Sequence, residues 1–240
     1  TEIYTLSLHD ALPIWTWTET GMLEQFPPEP LPVSWSVQIG SGYSGPTVSQ
    51  GRVYVTDRQE QPSQSEGVIC VDEVTGQKIW EFRYPCEYQG IGYPAGPRAS
   101  VVISGGKAYS LGAMGHLHCF DAASGGVLWK RDMNREYTIN MPIWGIAATP
   151  LVDDKYVYLQ ISGSDNACVV ALDKNTGKEV WRNLDDKASY SAPVMIEKNG
   201  TKVLVVWTED HLAGLDPGTG KLHWKIPWKL KMGMGITTPV

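Results

Sequence analysis

One nine-residue stretch is written four times along the chain, and it constrains the fold more than any other feature. Asp72-Glu73-Val74-Thr75-Gly76-Gln77-Lys78-Ile79-Trp80 returns as Asp121 to Trp129, Asp173 to Trp181 and Asp216 to Trp224, in the pattern D-x-x-[ST]-G-x-x-x-W. The four tryptophans stand 49, 52 and 43 residues apart. A period of that size denotes an array of supersecondary units, each of which buries its apolar face only against a neighbour.

The stretch has the chemistry of a hairpin. Asp bonds its own backbone two or three residues on, and Gly supplies a positive φ without steric cost, so Asp72, Gly76 and their counterparts Asp121, Gly125, Asp173, Gly177, Asp216 and Gly220 form turns. An apolar run precedes each turn: Val68-Ile69-Cys70-Val71, Leu117-His118-Cys119-Phe120, Val169-Val170-Ala171-Leu172 and Leu212-Ala213-Gly214-Leu215. A strand ending in Trp follows each one. Upstream lies another strand, Arg52 to Val55, echoed at Lys107 to Ser110, Tyr156 to Leu159 and Val203 to Val206. A fourth strand begins near Pro46, Pro150 and Pro193, with Val101 standing where the second repeat lacks the proline. Four short strands per unit describe one blade of a β-propeller.

From about residue 33 to the end, these units resemble the pyrroloquinoline-quinone-type (PQQ-like) β-propeller repeat family. That family includes quinoprotein dehydrogenases and many non-catalytic propellers, among them the outer-membrane-assembly lipoprotein branch. The resemblance implies that Trp80, Trp129, Trp181 and Trp224 pack between neighbouring blades. It also implies a periplasmic or cell-envelope location. The Gly-His and Trp-Asp signatures of WD-type propellers are missing. The expected fold is all-β: an incomplete propeller of four antiparallel four-stranded blades, with partial strands at both ends, forming an open arc.

Residues 1–14 stand apart. They equal, codon for codon, the translation of a common sequencing-library adapter, and are excluded from fold reasoning as an expression scar would be. Excluding Glu2 and Asp10 leaves 24 acidic against 20 basic residues and moves the net charge from −6 to −4. A mildly acidic chain without a basic cluster argues against a nucleic-acid partner. No apolar run approaches the roughly 18 residues of a membrane span. Residues 15–32 are proline-rich and read as a loop segment, and residues 33–240 as the partial propeller. Val33 to Ile39 alternates apolar and polar residues as a half-buried strand does, and Trp35 precedes Trp80 by 45 residues, one repeat length. Thr237-Thr238-Pro239-Val240 reads as the first strand of a fifth repeat.

The segments Pro85 to Gly96, Asp132 to Gly145 and Leu184 to Tyr190 each join a Trp strand to the next inner strand. The resemblance places loops of this class at the mouth of the central channel, where propellers bind ligands. They and the residues just beyond them carry Tyr88, Arg135 and Tyr137, and five residues singled out as candidate ligand contacts: Tyr93, Arg98, Asn140, Trp144 and Tyr190. Aromatics with arginine on a scaffolded rim suit recognition of a protein or small-molecule ligand.

Catalytic chemistry is sparse. His116-x-His118 puts two imidazoles on one strand face, but no third ligand stands at a definable spacing, and Cys70, Cys86, Cys119 and Cys168 match no zinc pattern, so no metal site is assigned. Cys70 and Cys119 stand two before the motif Asp, where the other repeats have Ala171 and Gly214, which marks them as small core residues rather than disulfide partners. Asp153-Asp154 and Asp185-Asp186 read as turn residues. No phosphate loop, nucleophile elbow or acid/base pair is present, and no catalytic residue or cofactor is assigned. Two functions fit. The first is a non-catalytic binding scaffold of the cell envelope. The alternative is a fragment of a quinoprotein alcohol or sugar dehydrogenase, which would require PQQ with calcium. By resemblance, the dehydrogenases carry a disulfide between adjacent cysteines, and no two cysteines here are adjacent.

Overall fold

The computed structural model describes residues 31–238 together with Gln25, Pro28 and Glu29. The adapter segment, most of the proline-rich segment and Pro239-Val240 lie outside the described residues. Sixteen strands form four antiparallel sheets, each a simple meander. The first holds β1 (Thr47–Ser49), β2 (Arg52–Gln59), β3 (Ser65–Asp72) and β4 (Lys78–Pro85). The second holds β5 (Val102–Ser104), β6 (Lys107–Leu111), β7 (His116–Asp121) and β8 (Val127–Asp132). The third holds β9 (Leu151–Val152), β10 (Tyr156–Gly163), β11 (Ala167–Asp173) and β12 (Glu179–Asn183). The fourth holds β13 (Val194–Lys198), β14 (Thr201–Trp207), β15 (His211–Leu215) and β16 (Leu222–Pro227). The short inner strands β1, β5 and β9 adjoin in succession, and among the described residues no strand pairing returns the fourth sheet to the first, so the array is an open arc of propeller blades.

The repeated turn has the same anatomy each time. Asp72 Oδ1 accepts from the Val74 and Thr75 amides and from Thr75 Oγ1 at 3.0, 2.7 and 2.8 Å, while the Gly76 amide donates to the Asp72 carbonyl at 2.9 Å. These bonds hold the Asp72 carboxyl below its ordinary range, and the same holds for Asp121, Asp173 and Asp216. Just before the turn a register shift lets the Trp pair across strands with the residue two before the Asp: Cys70↔Trp80, Cys119↔Trp129, Ala171↔Trp181 and Gly214↔Trp224. That position is small because the indole fills the space. A Cβ on Gly214 would lie 2.3 Å from Trp224.

The core consists of the seams between sheets. Trp80 donates to the Ala122 carbonyl of the next sheet at 3.0 Å, Trp129 to Lys174 at 3.1 Å and Trp181 to Pro217 at 2.9 Å. Tyr54, Tyr109 and Tyr158 reach the same three carbonyls, each at 3.2 Å, with each ring about 6 Å from the Trp of its own sheet. In the first two seams a single carbonyl thus accepts from both Trp and Tyr, whereas in the third the Tyr158 proton is shared with Asp153 Oδ2 at 2.8 Å; each seam is flanked by an apolar cluster drawn from both sheets.

Three expectations need correction. Val33 to Ile39 forms no strand, because no neighbouring strand offers a ladder; its side chains are exposed except for Trp35. Trp35 nevertheless takes the seam position: it donates to the Glu73 carbonyl at 2.9 Å and lies against Gly76. Thr237 and Thr238 are in no strand. The Asp132 to Gly145 connection is not all loop, since Asp132 caps a short helix α1 (Met133–Tyr137) by accepting from the Arg135 amide at 3.0 Å.

Candidate ligand-binding site

In a meander, the turns between second and third strands and the connections to the next sheet share one end of the array. The connections converge there around a cavity of about 470 Å³ lined by Tyr93, Arg98, Trp144 and Tyr190, together with Tyr43, Ala147, Thr149, Ala192, Ile236 and Thr238. Four of the five candidate contacts are thus brought together. Asn140 is not. It is exposed away from the lining, with its amide donating to the Ser162 carbonyl at 3.0 Å.

The lining follows the repeat. Tyr43, Arg98, Ala147 and Tyr190 each stand three residues before the proline or valine (Pro46, Val101, Pro150, Pro193) that just precedes an inner strand, and Ile236 stands three before Pro239 in the sequence. Thr149, Ala192 and Thr238 each stand one before the corresponding proline. This register was the available signal for Tyr43, Thr149 and Ile236, which reading the loops by composition alone passes over.

Aromatic rings make one wall. Trp144 stacks on Tyr190 with centroids 5.1 Å apart and planes 26° apart, and Tyr93 meets Trp144 edge-on at 6.2 Å. The Tyr190 hydroxyl accepts from the Trp144 amide at 3.2 Å and the Tyr190 amide donates to the Gly235 carbonyl at 2.9 Å, which fixes the stack to the scaffold. Burial raises the Tyr190 hydroxyl above its usual range, so it stays neutral. Tyr93 itself is 69% exposed and sits at φ +49°, a backbone state uncommon outside glycine that turns its carbonyl onto Arg98.

Among the described residues, Arg98 is the only formally charged one in the lining. Its guanidinium donates to the Gly96, Gly92 and Tyr93 carbonyls at 3.0, 3.1 and 2.6 Å and lies 4.9 Å over the Tyr43 ring. Burial lowers its pKa, yet a guanidinium remains charged at neutral pH. Neutral carbonyls position this cation without cancelling its charge, and two of its five N–H donors are left for a ligand.

The remaining sequence candidates lie elsewhere. Tyr137 is buried in the second seam and donates to Glu179 at 2.6 Å; Tyr88 donates to Glu66; Arg135 lines a separate cavity. The two histidines of His116-x-His118 part company. His118 is 3% exposed, its ring 4.5 Å from that of Tyr84 and 5.7 Å from that of Phe120, and burial lowers its pKa to about 4. His116 faces the Cys86 thiol. Asp153 is a turn residue, accepting from the Lys155 and Tyr156 amides, whereas Asp186 is buried and accepts from Thr208, His211 and Lys225 between 3.1 and 3.2 Å. All four cysteines are free and buried. No helix among the described residues is long and apolar enough to cross a membrane.

Relatives of both kinds resemble the chain. A 1-butanol dehydrogenase (quinone) from Thauera butanivorans is 29% identical over 164 residues, covering 62% of this chain and 25% of the relative. An outer membrane protein assembly factor BamB from Kangiella koreensis is 28% identical over 161 residues, covering 63% of this chain and 36% of the relative. The chain thus spans a minor part of either relative's length. Among solved structures, BamB from Moraxella catarrhalis aligns with TM-score 0.54 and 16% identity over 80% of this chain and 51% of that one. The quinohemoprotein alcohol dehydrogenase ADHIIG from Pseudomonas putida HK5 aligns with TM-score 0.56 and 17% identity over 83% and 36%. These structural likenesses bear on the fold alone. A family profile matches residues 64–233, more than half of the chain: the protein belongs to the family described as outer membrane protein assembly factor BamB.

Proposed function

We propose that this protein is a non-catalytic binding scaffold of the cell envelope, and that the cavity at the mouth of its arc takes a protein or small-molecule ligand presenting an anionic or electron-rich group. The lining carries this reading: stacked aromatics and one charge-bearing guanidinium, with neither carboxylate nor imidazole among them. Such a surface recognises by stacking and by paired N–H donors. It offers no general base.

The runner-up reading, a fragment of a quinone-dependent alcohol or sugar dehydrogenase, is favoured by the butanol dehydrogenase likeness and by the flat Trp144–Tyr190 wall beside a cation. The residues present do not fit its calcium, since a hard cation needs several oxygen ligands and no carboxylate among the described residues lines the cavity.

The test pairs dye-linked alcohol and aldose oxidation, with added quinone and calcium, against cross-linking capture of envelope proteins. The scaffold reading expects no turnover and a captured partner that is lost on Arg98→Ala or Trp144→Ala. Saturable, calcium-dependent turnover overturns it.

A further inference from the structure

We propose that Glu66, Cys86 and His116 form a binding site for a thiophilic divalent cation of the zinc class, between the first and second sheets and away from the aromatic cavity. The three residues come from separate places in the chain. Glu66 is the second residue of β3, Cys86 follows the last residue of β4, and His116 opens β7. Their ligand atoms nevertheless all lie within 4.8 Å of one another. Cys86 Sγ is 3.7 Å from His116 Nδ1. Zinc bonds of about 2.3 Å to sulfur and 2.0–2.1 Å to nitrogen, at a tetrahedral angle, put those two atoms about 3.6 Å apart.

A bare S–H···N hydrogen bond would also give that separation; Glu66 is what distinguishes a metal site from such a bond. Its side chain is 1% exposed, and it takes part in no ion pair among the described residues. The Tyr84 and Tyr88 hydroxyls and the Ala113 amide, the last at 3.0 Å, donate to its two oxygens. The backbone at Gly112 passes so close that a Cβ there would fall 2.0 Å from Glu66 Oε2. The Arg58 guanidinium lies over the Tyr88 ring, 4.4 Å from its centroid, but no cation among the described residues comes within ion-pair distance of Glu66. A buried carboxylate held by tyrosines, with a thiol and an imidazole beside it and no cation in direct contact, is a costly arrangement until a bound cation neutralises it. The tyrosine hydroxyls then act as outer-shell donors that orient the ligand.

Burial and the neighbouring Glu66 charge push the Cys86 thiol well up, so the metal-free site holds the proton. Binding forms the metal–sulfur bond and releases that proton to solvent. His116, only partly buried, also lines a second cavity of about 310 Å³ with Glu87, Asp132 and Asn134. At His116 that cavity offers room for water or a carboxylate as the fourth ligand.

The experiment titrates chelator-stripped full-length protein with Co²⁺ and then Zn²⁺. One equivalent of Co²⁺ is expected to bind and give a near-ultraviolet cobalt–thiolate charge-transfer band, which Zn²⁺ abolishes by displacement. Cys86→Ser and His116→Ala should lose the band while keeping the far-ultraviolet spectrum of a folded β protein. Cys168→Ala, in the seam of the third and fourth sheets, should keep it, and Tyr88→Phe should weaken binding about 10- to 100-fold. Should Cys86→Ser fail to fold, the partly exposed His116→Ala decides. A folded wild-type protein with no thiolate band overturns the proposal, as does a band that survives His116→Ala with unchanged affinity.

Discussion

Gly125 sits at φ +73° with Trp80 against its α-carbon, so a Cβ there would lie 2.5 Å from the indole; Gly51 has nearly the same backbone, φ +74°, and open space around it. The pair separates two reasons for glycine. Gly51→Ala meets only the left-handed backbone penalty, about 1 kcal/mol. Gly125→Ala adds overpacking in a seam, about 1–3 kcal/mol more. Urea unfolding of the two variants should therefore differ by at least about 1 kcal/mol, and equal losses would mean that the indole does not occupy that space. At this scale most of the seam was legible in the sequence, because Asp, Gly and Trp repeat in register and each is the residue type its position demands. Cys70, Cys119, Ala171 and Gly214 were legible as a series of small residues, though their reason, the Trp directly opposite, needed the register shift. Tyr54, Tyr109 and Tyr158 recur in three of the four repeats, with Val205 in the fourth, but gave no hint of reaching the Trp's carbonyl. Two side chains converging on one acceptor in another sheet is a tertiary fact with no local pattern.

Strand positions followed from alternation and turn residues, and the sixteen strands lie where the four repeated runs place them. The exceptions are instructive. Val33 to Ile39 has strand periodicity without a partner, and a strand is a property of a pair. Helix α1 carries an Asp132 cap but only five residues, too few for a helical period to show against the surrounding loop. Trp35 shows that seam docking survives where the ladder does not, since its bond to Glu73 and its contact with Gly76 reproduce those of the later tryptophans. Trp129 joins the second and third sheets, half-buried, and Trp129→Ala should cost about 3 kcal/mol, the lower end for a large aromatic truncation. Trp228 lies past β16, is 56% exposed and touches Trp207 edge-on, so Trp228→Ala should cost less than about 1 kcal/mol. Thermal or urea melts of the two variants decide it, and comparable losses would mean the seam is not where the stability resides.

Across the whole molecule, the aromatic cavity and the Glu66–Cys86–His116 cluster lie at the same end of the arc but differ in how they could be read. The cavity is built by one register of the repeat, so its members were within reach of an aligned sequence. The cluster draws on three unrelated positions that only the stacking of two sheets brings together, and ligand spacing along the chain carries no trace of it. The same architecture governs how stability is distributed. Each sheet packs only on its neighbours, so the array behaves as a row of units coupled through three similar seams. Trp181 closes the last described seam by donating to Pro217 and packing on Gly220. Removing it weakens the coupling of the fourth sheet to the third while leaving the first two seams intact, and local opening free energies report such differences directly. In Trp181→Ala, amide hydrogen exchange should rise selectively in β13–β16, reach the facing strands β10–β12 to a smaller degree, and leave β2 and β3 at wild-type protection. A uniform rise across all four sheets would show instead that the arc unfolds as a single cooperative block, with the seams too strong for any one sheet to open alone.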